Sequence, residues 1–429
     1  MTRTDGAAGA SPRVHALILA AALAADAAIL ASQLLVPPVV GLADNGDFER
    51  VMGYAGFQHT TSDSAERYFT FVRTQYALAP PGWFRGGYLS SETLLAFAAR
   101  LAHLAFFPHA PFDIRLLGAI HVALFLLGLA GILHACRGLS LATQAAVAAL
   151  LVFFFTDVGY AAPFNSFYSQ TASLLFLLLT VAAAAEAVRR GRLEGAVLLT
   201  YFACALLFVA SKPQEAPSAI VLAAYGVRLA NPPPRRAWRT VAAGLAVLLC
   251  VFAVVYARRS PRTLRAATVY QVVFDDLLAF SDTPESDAAA LGLDPGWLRY
   301  RGTNPYAPES PLLDPGFQAR FLERTGFRRI LGFYALHPRR FAGRVERAAS
   351  SAWSLRPVLG NFEKSPERPR YTLSQRFSLW SRLRGLLGAW PLTTTALLAG
   401  ANLAAALVTR RRASERGRLF RDGVAALRI

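Results

Sequence analysis

Three carboxylates and an arginine fall within seven residues in Asp44-Asn-Gly-Asp47-Phe-Glu49-Arg50, directly after an apolar run of bilayer length. A carboxylate half-buried at the mouth of a helix bundle gains basicity, so Asp47 and Asp44 are the candidate catalytic residues, as general base or metal ligand. The same string also reads as a solvated turn and a capped helix, with Asp44 or Asn45 as N-cap and Glu49 facing solvent in the first turn. Two further polar stretches lie between apolar runs. Pro163-Phe-Asn165-Ser-Phe-Tyr168-Ser-Gln170 offers uncharged donors and acceptors suited to sugar hydroxyls, although aromatic residues at this depth also form the ordinary interfacial belt. Ser211-Lys212-Pro-Gln-Glu215 sets a lysine and a glutamate in one turn. Lys212 suits a phosphate, with Glu215 as its ion-pair partner, and it could equally snorkel to headgroups.

These groups need elements that bring them to one side of a bilayer. At 429 residues and 54% hydrophobic, with a mean hydropathy of +0.34, the chain is too apolar for a soluble protein of its size. Its net charge of +18 would suggest nucleic acid in a soluble protein, but the basic residues sit in short clusters between apolar runs and read as topology signals. Only Lys212 and Lys364 are lysines, so Lys212 stands out among the arginines. Cys136, Cys204 and Cys250 show neither disulfide nor zinc spacing.

The expected fold is an all-α polytopic membrane protein with about eight spans, near 14–37, 115–135, 141–156, 171–188, 194–211, 216–230, 240–257 and 388–409. The first resembles a signal peptide preceded by Arg3 and Arg13, but its length suits a retained helix. With the N-terminus inside, Arg137, the Arg189/Arg190/Arg192 cluster, Arg235/Arg236/Arg239 and Arg410/Arg411/Arg412 all fall on the cytoplasmic side, while the short loops 157–170 and 211–217 hold only Lys212. Residues 90–107 predict an amphipathic helix lying along the interface, with Leu94, Leu95, Phe97, Leu101, Leu104 and Phe107 near one face and Glu92, Arg100 and His103 elsewhere. The expected domains are a transmembrane module over 1–257 with an outer loop at 38–114, an outer, mostly helical domain over 258–387, and a last span with a basic tail over 388–429.

The acidic motif after the first span, the interfacial helix, the polar second outer loop and the Lys-Pro turn together resemble the GT-C superfamily of membrane glycosyltransferases. More narrowly, Asn45-Gly-Asp-Phe-Glu-Arg50, Phe164-Asn-Ser-Phe-Tyr168 and the stretch from Tyr270-Gln-Val-Val-Phe274 to Leu291-Gly-Leu-Asp-Pro295 are similar to hexosyltransferases of bacterial surface-glycan biosynthesis. The resemblance implies a bacterial cytoplasmic-membrane enzyme that moves a sugar from a polyprenyl-phosphate donor to a glycan or lipid acceptor at the outer face. It makes Asp47 the base and, after it, Asp44. Lys212 and Arg50 would hold the donor phosphate, and Asn165, Tyr168 and Gln170 the sugar. A second acid in the second outer loop is common in such enzymes; here the candidate is Asp157, and a divalent metal stays open.

A transporter or lipid-linked glycan flippase is the competing class. Asp26, in the middle of the first span, is its best support, since an ionisable group there costs at least ~2.5 kcal/mol. The plainer expectation is a carboxyl group hydrogen-bonded within the bundle. A non-catalytic scaffold is a third class and would need none of the outer-loop carboxylates.

Overall fold

The computed structural model describes residues 11–83, 87–230, 236–307 and 309–410. Arg3, Arg235, Arg411, Arg412 and the basic tail lie outside the described residues. Ser11 caps the first helix, α1 (Pro12–Leu34), by accepting from Val14 N, and the chain turns at Pro37 and Pro38 after its end. The loop that follows holds α2 (Glu49–Ala55), β1 (Phe57–His59), α3 (Ser64–Arg67), β2 (Gln75–Leu78), α4 (Glu92–Phe106) and β3 (Phe112–Asp113). Then come α5 (Ile114–Ala135), α6 (Leu141–Phe155), α7 (Val158–Ala161), α8 (Ser169–Arg190), α9 (Gly195–Val209), α10 (Ser218–Leu229) and α11 (Arg236–Arg258).

Among the described residues, α1, α5, α8 and α11 are long and apolar enough to cross a membrane, and α6 with the bent segment after it makes a fifth candidate. The chain is a multi-pass membrane protein. α9 has 15 residues and α10 has 12, so at about 1.5 Å per residue each is shorter than a ~30 Å hydrocarbon core. The expectation of an all-α chain needs correcting. β1, β2 and β3 form a small antiparallel sheet with Phe57 opposite Leu78, His59 opposite Tyr76, and Tyr76 opposite Phe112. Its buried rings pack on Phe167, with centroids 5.2 Å away for Phe57 and 5.0 Å for Tyr76. Strands of two to four residues carry too little alternation to be read from sequence.

The helices alternate in direction, so their connections gather at two ends of the bundle. At one end His15 Nδ1 meets Gln144 Oε1 at 2.7 Å and Leu193 N donates to Leu229 O. At the other, Gln33 donates to Thr156 O at 2.9 Å, and the loop before α4 is strapped over the ends of α8, α9 and α11. That strap is made by Tyr88 to Ser169 Oγ (3.3 Å), Ser90 to Ser211 O (2.6 Å), Ser91 N to Ala210 O (3.0 Å) and Tyr256 to Leu89 O (2.9 Å).

Two compact units divide the chain: residues 260–354 with 385–399 form the second, and everything else the first. The segment 355–384, expected in the outer domain, therefore belongs to the first unit. Its residues 360–362 pair with the loop after α1, through Gly41 N to Asn361 O (3.0 Å), Ala43 N to Gly360 O (2.9 Å) and Val72 N to Phe362 O (2.9 Å). The second unit contains α12 (Arg262–Tyr270), a π-helical turn at Gln271–Leu277, α13 (Pro284–Ala290), α14 (Pro315–Arg324), α15 (Phe327–Leu336) and α16 (Pro338–Trp353). Tyr270, Phe274, Leu291, Phe317 and Phe321 are buried in its core, so the family-like string around Tyr270 and Leu291 is packing. α17 (Leu379–Leu387) and α18 (Pro391–Arg410) complete the described chain.

Candidate functional site

After α1 the backbone is held from both sides. Asn165 Nδ2 donates to Leu34 O (2.9 Å) and Val40 O (2.8 Å), and Asn361 Nδ2 donates to Gly41 O (2.9 Å). Asn165 sits so close to α5 that any side chain at Gly118 would strike its amide oxygen. Expected to bind sugar, Asn165 is buried here with both amide hydrogens taken by main-chain carbonyls, which makes it a clamp on the loop. Tyr168 is likewise buried. Its hydroxyl donates to Ala43 O at 2.7 Å and accepts from Asn45 N at 2.9 Å, while its ring lies 4.7 Å from that of Phe48.

The clamped loop turns at Asp44. Oδ1 accepts from Gly46 N (2.7 Å) and Phe48 N (3.2 Å), and Oδ2 lies 3.2 Å from His59 Nε2. Gly46 has φ +99°, a backbone region that glycine enters without cost. Asp44 is only 2% exposed, and these contacts make it the residue that forms the turn. Glu49 also departs from expectation: it pairs with Arg67 (2.6 Å) and accepts from Tyr68 (3.1 Å) instead of standing free in solvent.

Asp47 is different. The turn that buries Asp44 swings Asp47 to the surface, where its side chain is 33% exposed and meets Arg50 Nη1 at 2.8 Å. Burial raises its carboxyl above the usual carboxylate range; Arg50 opposes the rise, the Asp44 charge adds to it, and Lys212 opposes it. Asp47 and Lys212, 165 positions apart in sequence, thus share one electrostatic neighbourhood. Lys212 itself pairs with Glu215 at 3.3 Å, and both are about one-fifth exposed. Arg50 lies 5.9 Å from the ring centre of Tyr88. Gln170 is exposed in the first turn of α8. Of the eight sequence-derived candidates, Asp47, Arg50, Lys212, Glu215 and Gln170 present polar groups at accessible positions, whereas Asp44, Asn165 and Tyr168 build the loop that carries them. Asp157 is buried too, accepting from Gly159 N (2.8 Å) and Ser381 N (2.8 Å).

The family model of the YfdI N-terminal transmembrane domain matches residues 7–416. The chain belongs to this family. No curated protein and no solved structure matches it.

Sequence reasoning missed two histidines, one beside Asp44 and one within the bundle. His59 backs Asp44, and its neighbours in β1 gave no signal. His121 Nε2 meets Glu92 Oε1 at 2.8 Å with both side chains fully buried, and His121 Nδ1 lies 2.8 Å from Phe164 O. Burial raises the Glu92 carboxyl, with His121 opposing. The helix α4 exposes the expected apolar face except for Leu95, which is buried; Leu94 is 59% and Leu101 53% exposed, while Glu92 and His103 are buried in the bundle. The readable signal was a titratable residue at mid-helix of the apolar α5, opposite a glutamate at the start of α4. Among the described residues no group of three or more His, Cys, Asp or Glu is arranged to hold a metal. Asp26 is fully buried, and among the described residues neither of its oxygens has a hydrogen-bond partner, in contrast to the expected hydrogen-bonded carboxyl group.

Proposed function

We propose that this YfdI-family chain is a GT-C-type membrane glycosyltransferase, taking a sugar from a polyprenyl-phosphate carrier and passing it to a glycan or lipid acceptor at the outer face of the bacterial cytoplasmic membrane. The observation that carries the reading is Asp47: a surface carboxylate of raised basicity, on a loop immobilised by buried clamps, with cations on two independent elements within its field. A rigid loop matters because a base must be held within hydrogen-bond reach of the proton it takes.

In this mechanism Asp47 accepts the proton of the acceptor hydroxyl as that oxygen attacks the anomeric carbon. The new carbon–oxygen bond forms as the bond to the phosphate oxygen breaks. Polyprenyl phosphate leaves with the electron pair, and configuration inverts. Lys212 and Arg50 stabilise the charge gathering on the departing phosphate, and Gln170 is placed for sugar hydroxyls. The test is transfer of a labelled sugar from a polyprenyl-phosphate donor by the purified protein in lipid vesicles, with Asp47→Asn as the inactive control. Transfer by wild type that survives Asp47→Asn would overturn the assignment of the base.

Asp26 favours a second reading, a transporter or flippase, because an unpartnered carboxyl group in the middle of a span suits proton coupling. Movement of a lipid-linked glycan across sealed vesicles without sugar transfer, abolished by Asp26→Asn, would decide for it.

A further inference from the structure

The helix α16 in the second unit leaves an apolar stripe uncovered beside arginines that are paired with acids. Three of its arginines pair with acids of the same unit: Arg340 meets Asp282 (3.0 Å) and Asp287 (3.1 Å), Arg347 meets Asp276 (2.8 Å), and Arg344 meets the same carboxylate (2.5 Å). Asp276 and Asp287 are buried, at 8% and 4% exposure. An adjoining face carries Phe341, Val345, Ala348 and Ala352, spaced i, i+4, i+7 and i+11, and all four are exposed. Phe341 is 52% exposed and Val345 40%. A helix of a water-soluble unit does the reverse, turning its apolar stripe to the core and its charges to solvent. The neighbouring α15 likewise leaves Phe327 and Leu331 exposed, at 49% and 68%.

The end of α16 is tied to α18, which the sequence reads as the last span. Trp353 Nε1 donates to Pro391 O (3.3 Å) and Thr395 Oγ1 (3.2 Å) in the first turns of that helix. Trp390, just before it, is 71% exposed, and Leu397 within it is 68% exposed. A tryptophan with its ring on an apolar surface and its N–H on a polar partner is the usual arrangement at the membrane–water boundary.

We propose that the apolar stripe of α16 lies in the interfacial layer of the bilayer beside the point where α18 enters it. The partner is thus the acyl and headgroup boundary of the leaflet, and the inference does not depend on sugar transfer. Two large apolar residues would hold a free helix only weakly, but α18 tethers this one at the surface and makes its binding intramolecular.

Site-directed spin labelling tests it. In the full chain with Cys136, Cys204 and Cys250 replaced by serine, nitroxides are placed one at a time at positions 341, 345, 346, 348, 350 and 352. The protein is reconstituted in nanodiscs of phosphatidylethanolamine and phosphatidylglycerol. Collisions with oxygen are then compared with collisions with a water-soluble nickel chelate. The expected result is an oxygen preference at 341, 345, 348 and 352 that reverses to nickel at 346 and 350, following the 3.6-residue period. Nickel preference at all six positions overturns the proposal. Spin–spin broadening at 345 without oxygen preference also overturns it, and assigns the stripe to a second copy of the chain.

Discussion

Asp44 and Asp47 are three residues apart, and replacing each in turn should give opposite signatures. Asp44→Ala removes the acceptor of the Gly46 and Phe48 backbone N–H groups and the partner of His59. A buried donor left unsatisfied costs ~1–3 kcal/mol, and of the two N–H groups the Phe48 one is buried while water reaches Gly46, so the predicted loss is about 1–3 kcal/mol. Set against a net stability of ~5–15 kcal/mol for a typical fold, that is a large fraction, and the thermal midpoint in detergent should fall markedly. Asp44→Asn keeps Oδ1 and should restore most of it. Asp47→Ala removes only a partly exposed ion pair with Arg50, worth roughly 0–1 kcal/mol, and should leave the midpoint nearly unchanged. Activity should divide the other way. Asp47→Asn should slow single-turnover sugar transfer by ~10²–10⁴-fold, the usual cost of losing a general base, equivalent to ~2.7–5.4 kcal/mol in the barrier. Equal destabilisation by the two alanine variants, or wild-type transfer by folded Asp47→Asn, would refute the reasoning.

Asp47 must be ionised to act, so activity should fall as pH drops through its raised pKa, at a higher pH than an ordinary carboxylate would give; Arg50→Met removes an opposing charge and should move that acid limb further up in a pH–rate profile. Lys212→Met should weaken donor binding by ~10–150-fold in a titration with polyprenyl-phosphate sugar, the worth of a charged hydrogen bond. Lys212→Arg should recover only part of it, because a planar guanidinium replaces a compact ammonium. Asp26→Asn should keep most transfer activity while inserting normally, and loss of activity there would favour proton-coupled transport. A cysteine at position 290 should react with an impermeant reagent in intact cells, and labelling only after permeabilisation would contradict an outer location for the second unit.

The helices of the bundle were legible because bilayer-length apolar runs leave little choice of structure. The loop-borne parts were legible only in outline. Asp44 and Asp47 look alike in sequence, and what separates them is a histidine fifteen residues on, together with the turn that Gly46 permits. Asn165 and Tyr168 were read as sugar ligands because polar residues in an outer loop look available. They are used up by carbonyls at Leu34, Val40 and Ala43, more than 120 residues earlier. The placement of 355–384 with the first unit depends on pairing between Gly41 and Asn361, a separation of 320 residues that no local pattern announces.

The two helices whose faces most needed the structure, α4 and α16, share one physical cause. Spacing gives the axis along which a helix is amphipathic but not which side meets the protein, and in a membrane protein the apolar side has two places to go. The choice falls to polar groups on other elements. Glu92 turns inward on α4 because His121 of α5 is there to meet it at 2.8 Å, which leaves Leu94 and Leu101 outside. Arg340, Arg344 and Arg347 of α16 are held by the buried Asp276 and Asp287, which leaves Phe341 and Val345 outside. A buried charge without its partner costs far more than an apolar side chain exposed to lipid, so the charge pairs set the orientation and the apolar stripes follow. If that ordering is right, Glu92→Leu with His121→Leu should leave α4 free to rotate, whereas changing Leu94 or Leu101 should not.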